Sequence, residues 1–98
     1  MIVNIIESYR DVIAICDKNL LGKRFEEGKF QLHIKESFYK GKEKSENEVL
    51  EIIKNMAKED ATFNIVGEKS VNVAIKAGII NENSVGEIQG IKFALVLL

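Results

Sequence analysis

Few side chains in this sequence could act as nucleophile, base or metal ligand. His33 is the one histidine and Cys16 the one cysteine. A histidine titrates near neutrality and could serve as a general base. His33, however, alternates with Gln31 and Lys35 along an extended run, which predicts a solvated surface position. A nucleophilic cysteine needs a neighbouring base or cation to lower its pKa. Cys16 instead closes the apolar run Val12-Ile13-Ala14-Ile15 and precedes Asp17, so burial predicts an inert thiol. One cysteine and one histidine fall short of the four ligands that a closed zinc site takes. No metal, disulfide, cofactor or catalytic pair is expected.

Gly67-Glu68-Lys69-Ser70 follows an apolar stretch. A glycine leading from a strand into a helix can cradle an anion on the helix N-terminus. A phosphate loop also requires the upstream glycine of Gly-x-x-x-x-Gly-Lys-Ser/Thr, which is missing here, and Glu68 sits at the mouth. The expectation is a plain strand-to-helix turn.

The charge distribution carries more. Residues 18–44 hold eight lysines and arginines against four glutamates, a net of +4 in a chain of net charge −1. Lys23, Arg24, Lys40 and Lys42 belong to this segment, with Phe38 and Tyr39 among them. Cations interleaved with aromatics can neutralise phosphates and stack unpaired bases. These six residues are the candidate nucleic-acid contacts. On a strand, Phe38 and Tyr39 would point to opposite faces, which leaves one of them exposed.

The elements that must position these residues can be read along the chain. Ninety-eight residues fit one domain, 1–98, with enough apolar content, 46%, to form a core. No apolar run approaches the ~20 residues of a membrane-spanning helix. The start, Met1-Ile2-Val3-Asn4, lacks the basic stretch of a signal peptide, so a cytoplasmic, reducing location with no membrane partner is expected. Residues 2–8 and 12–16 predict a hairpin. Residues 17–28 predict a loop with one helical turn near Leu20, stopped by Gly22. Phe30, Leu32 and Ile34 predict a half-exposed strand, and residues 37–41 a short extended piece or turn. Ser45 and Glu48 form a capping-box pair ahead of Val49, Ile52, Ile53, Met56 and Ala57 at helical spacing, predicting a helix over 45–60. Residues 62–66 predict a strand, 68–77 a second helix ended by Gly78, and 85–89 with 91–97 a closing hairpin. Strands without strict βαβ alternation, plus two main helices, point to an α+β fold, a two-layer sandwich with a mixed, mostly antiparallel sheet.

Three ordered segments, Cys16-Asp17-Lys18-Asn19-Leu20-Leu21-Gly22-Lys23, Glu36-Ser37-Phe38-Tyr39-Lys40-Gly41 and Asn64-Ile65-Val66-Gly67-Glu68, resemble the short archaeal proteins of domain of unknown function 424. The resemblance implies an archaeal cytoplasmic α/β sandwich with no assigned reaction, for which a link to translation or RNA has been suggested. It singles out Cys16, Asp17, Asn19, Gly22, Tyr39, Gly41, Asn64, Gly67 and Glu68 as family-like positions of unassigned role. The Pro-His pair found in many members after the C-terminal glycine is absent, because Gly90 is followed by Ile91-Lys92-Phe93. Physical roles are available for several of these positions. Asp17 could cap the turn at Asn19–Leu20, Gly22 and Gly41 could supply backbone freedom, and Asn64 and Glu68 could flank a helix N-terminus.

Three functional classes follow. The first is a non-enzymatic module for RNA or the translation apparatus. The second is a protein–protein adaptor, favoured if strand 91–97 lies on a sheet edge. The third is a small-molecule enzyme, disfavoured by the lack of a nucleophile–base pair.

Overall fold

A computed structural model describes residues 1–97. In chain order the strands are β1 (Ile2–Ile6), β2 (Val12–Cys16), β3 (Arg24–Glu27), β4 (Phe30–His33), β5 (Lys42–Glu43), β6 (Thr62–Val66), β7 (Gly86–Ile88) and β8 (Ile91–Leu97). The helices are α1 (Glu36–Tyr39), α2 (Glu46–Lys58) and α3 (Glu68–Ala77). Two 3-10 turns, Lys18–Leu20 and Glu82–Ser84, complete the described elements.

Six strands form one sheet in the order β5-β1-β2-β6-β8-β7, and β3 and β4 form a separate hairpin. Among the described residues only β2 and β6 run parallel; the other pairs are antiparallel. This is the mixed α+β arrangement expected, with α2 and α3 as its long helices.

The register sorts side chains by face, because successive residues of a strand point oppositely. Val3, Ile15, Ile65 and Ala94 line up across β1, β2, β6 and β8. This row and the one holding Ile13, Phe63 and Val96 pack under Val49 and Ile53 of α2 and Val71 and Ala74 of α3. On the other face Ile2, Cys16, Val66 and Phe93 form a row. A second, smaller cluster covers them, built from Leu20, Ile34 and Tyr39 with Phe25, Leu32 and Phe38. The sandwich thus carries a partial third layer, which explains why β2 is apolar on both faces.

Local chemistry accounts for the helix ends. The Ser45 hydroxyl accepts from the Glu48 amide at 3.2 Å, and the Glu48 carboxylate accepts from the Ser45 amide at 3.0 Å. Helix α2 starts on this reciprocal pair. Helix α3 ends where Gly78 turns left-handed, as the glycine stop predicts.

One segment departs from the expected reading and another resolves an alternative it left open. Residues 24–27, read as loop, form β3, joined to β4 by a two-residue turn with Gly28 at positive φ. Of the two readings for residues 37–41, a short extended piece or a turn, the structure takes the turn: residues 36–39 form the single turn α1, held by Tyr39 N–H to Lys35 and Lys40 N–H to Glu36. Helical neighbours point about 100° apart instead of 180°, so Phe38 and Tyr39 both turn into the second cluster. Their rings meet edge to face at 5.1 Å.

Candidate nucleic-acid interface

The parallel strands β2 and β6 end side by side, with Cys16 paired to Val66. Open α/β sheets place ligands beyond the carboxyl ends of such strands. Here the chain fills that place itself. The Asp17 carboxylate accepts from the amides of Lys69 at 3.2 Å and Ser70 at 2.9 Å, and from the Ser70 hydroxyl at 2.7 Å. It thereby caps α3, satisfying N–H groups that a helix leaves unpaired and placing a negative charge on its positive end. Asp17 does not cap the turn at Asn19–Leu20 through its side chain; only its carbonyl accepts, from Leu20. The carboxylate reaches across 52 residues of sequence because the parallel pairing carries it to the helix start.

Gly67 makes this junction possible. Its φ of +108° and ψ of 152° lie where only glycine settles without strain. A Cβ there would stand 2.3 Å from the Asp17 Cγ. Asp17, Gly67 and Ser70 are all buried, Ser70 completely. The anion site suggested by Gly67-Glu68-Lys69-Ser70 is thus occupied from within. A cleft of about 770 Å³ opens beside it, lined by Asn19, Glu68 and Lys69 with Lys18 and Glu43, which pair at 3.1 Å.

The other family-like positions do not join this junction. Cys16 packs in the second cluster with Tyr39. Burial first, then the Asp17 charge, pushes the thiol from 9.0 up to about 11. Burial, with a smaller contribution from Cys16, pushes the Tyr39 hydroxyl from 10.0 to about 12. Gly41 lies against β1, where a Cβ would meet the Val3 carbonyl oxygen at 2.0 Å. Gly22 faces Glu36, and Asn64 sits mid-sheet between Ala14 and Leu95, away from the α3 N-terminus.

His33 stands on the hairpin, its Nδ1 3.3 Å from the Arg24 guanidinium. Loss of solvation, then the Arg24 and Lys35 cations, hold it below its ordinary range. Among the described residues no three His, Cys, Asp or Glu side chains gather as a metal site.

The basic residues present a different picture. Lys23, Arg24, Lys40 and Lys42 are exposed. Among the described residues none of Lys23, Lys29, Lys35, Lys40 and Lys42 has a carboxylate within ion-pair distance. Gly22 N–H to Ile34 and Ile34 N–H to Lys23 hold the root of the hairpin beside Lys35, and α1 spans the gap from Lys35 to Lys40. At the far end, the Gln89 amide donates to the Glu27 carboxylate at 3.0 Å, and the Gln89 side chain donates to the Glu26 carbonyl. The hairpin tip is thus docked beside the β7–β8 turn.

The aromatic half of the expected interface is rearranged. Tyr39 is buried and Phe38 half-buried, so neither ring offers a free face. Phe30, read as part of a half-exposed strand, is 71% exposed. Burial fades toward the hairpin tip, from Ile34 just past β4, fully buried, through Leu32, half-buried, to Phe30. The signal was present in Glu27-Gly28-Lys29-Phe30: glycine at the first centre of a two-residue hairpin turn places Phe30 at the tip.

A family model described as a protein of unknown function (DUF424) matches residues 6–98. The crystal structure of an uncharacterized conserved protein from the archaeon Methanopyrus kandleri is similar, with a TM-score of 0.85 and 29% identity over 98% of this chain and 90% of that one. No curated protein matches the chain. Among the described residues no helix is long and apolar enough to cross a membrane.

Proposed function

The chain belongs to the DUF424 family, and for this member we propose a non-enzymatic role in binding RNA, through the hairpin β3–β4 and the basic strip that continues past α1. One observation carries the reading. Lys23, Lys29, Lys35, Lys40 and Lys42 are exposed and, among the described residues, have no carboxylate partner, so their charge is available to phosphates. Lys23, Arg24, Lys40 and Lys42 meet the backbone of a single strand, and Phe30, flanked by Lys29, takes the stacking role that the buried Tyr39 cannot. Such a surface binds with little sequence preference, because every base offers a π-face. The cytoplasm and the translation apparatus are the setting this reading implies.

The test is a salt titration of binding to total cellular RNA. Affinity falls steeply with salt, as condensed counterions are released from each neutralised phosphate. Lys23→Glu with Arg24→Glu abolishes binding and leaves the thermal midpoint nearly unchanged, since exposed charges contribute little to stability. Reversing Glu51 and Lys58 on the outer face of α2 does neither. Absence of binding at low salt, or binding indifferent to the Lys23/Arg24 reversal, removes the RNA reading. A second reading, a protein–protein adaptor, draws on the distal half of β8, which among the described residues no neighbouring strand covers on its outer side.

A further inference from the structure

We propose that the distal half of β8 is where a second copy of this chain pairs, strand to antiparallel strand about a two-fold axis, extending the six-stranded sheet through the dimer. β7 covers β8 only from Ile91 to Phe93. From Ala94 to Leu97 the strand pairs with β6 on one side, and among the described residues no backbone hydrogen bond reaches it from the other. The open stretch is about 13 Å long at ~3.3 Å per residue. Its side chains alternate cleanly. Ala94 and Val96 are buried on the helix side, while Leu95 and Leu97 are 61% and 71% exposed on the face that the hairpin and α1 leave uncovered.

Proteins ordinarily blunt such an edge with lysine, proline or a bulge. This edge carries none of them, whereas the opposite side of the sheet ends in β5 with Lys42. The charge pattern selects the occupant. Residues 93–97 are uncharged, and so are Ile6, Val12 and Thr62, which continue the Leu97 row across the sheet. A two-fold axis through the edge sets this uncharged strand against itself. No like charges meet, and leucines lie beside leucines on one face, as a self-complementary isologous contact requires. The surface is small by the standard of stable interfaces, so the dimer is concentration-dependent. It involves none of the residues of the RNA reading and stands or falls independently of it.

Sedimentation velocity from low to high micromolar concentration is the test. The expected result is a mass rising from 11.0 kDa toward twice that value. In the variant carrying Leu95→Lys and Leu97→Lys the mass stays at the monomer value, with the circular-dichroism spectrum of the parent. Amide exchange at residues 94–97, slowing as concentration rises in the parent, reads the same contact without a substitution. A monomer at every concentration overturns the proposal. So does a dimer untouched by the two lysines, or an edge that pairs only with a strand from a different protein.

Discussion

At the residue scale the decisive group is the Asp17 carboxylate. It supplies to α3 the negative charge that a phosphate would supply in a nucleotide-binding loop, and Gly67 leaves it room. Removing the carboxylate by Asp17→Ala strands the buried Ser70 hydroxyl and two amides, a loss of about 1–3 kcal/mol. Gly67→Ala forces strain at φ +108° and drives a methyl group into the carboxylate, costing about 1–3 kcal/mol for the backbone alone. In the double variant the collision is gone, so its loss is smaller than the sum of the two single losses. Urea denaturation of the four proteins measures this. Strict additivity would mean that Gly67 does not make room for Asp17.

Tyr39 and Cys16 give a second expectation at this scale. Each holds its proton more tightly in the folded chain, to about 12 against 10.0 and to about 11 against 9.0. As pH rises past 9 to 10 the unfolded chain loses these protons first, and it then binds fewer protons than the native state. Stability therefore falls between pH 9 and 12 and is fully present below pH 9. Urea midpoints across that range should decline, and Tyr39→Phe should flatten the upper part. A decline identical in parent and variant contradicts the burial of Tyr39.

At the scale of elements, the parts legible in the sequence were those whose chemistry is local. The capping box of α2, its apolar stripe, the glycine stop of α3 and the strands β2 and β6 all follow from neighbouring residues. Ser45→Ala should cost about 1 kcal/mol in a thermal or urea melt; an unchanged melt would mean that the pair does not anchor α2. What escaped the sequence depended on distant partners. The amphipathic signal in Arg24-Phe25-Glu26-Glu27 is one residue deep, and β3 exists because β4 and the β7–β8 turn hold it. The turn α1 has no periodicity to read in four residues; it is set by the second cluster drawing in both Phe38 and Tyr39. Asp17 pointed to the adjacent turn by sequence proximity, while its partner lay across a parallel strand pair that no local pattern announces. The exposure of Lys23, Arg24, Lys40 and Lys42 was legible in the sequence, and the burial of Phe38 and Tyr39 was not, for the same reason.

At the scale of the whole molecule the two proposed contacts occupy opposite ends of β8. The hairpin tip with Phe30 lies beside its start, and the open edge lies at its finish. Dimerisation would therefore leave both basic layers free to hold RNA. The central claim is that the layer around β3–β4 binds RNA through phosphates, with Phe30 adding a stack. The most direct measurement is the affinity for a short labelled oligouridylate as a function of potassium chloride, in the parent, in the Lys23→Glu/Arg24→Glu protein and in Phe30→Ala. The account expects log affinity in the parent to fall linearly with log salt, by about 0.7 per phosphate neutralised. Charge reversal should abolish binding at every salt concentration. Phe30→Ala should lower affinity by the ~1–3 kcal/mol of one base stack and leave the slope unchanged. A parent that does not bind at low salt, or a slope that survives the reversal of Lys23 and Arg24, would contradict it.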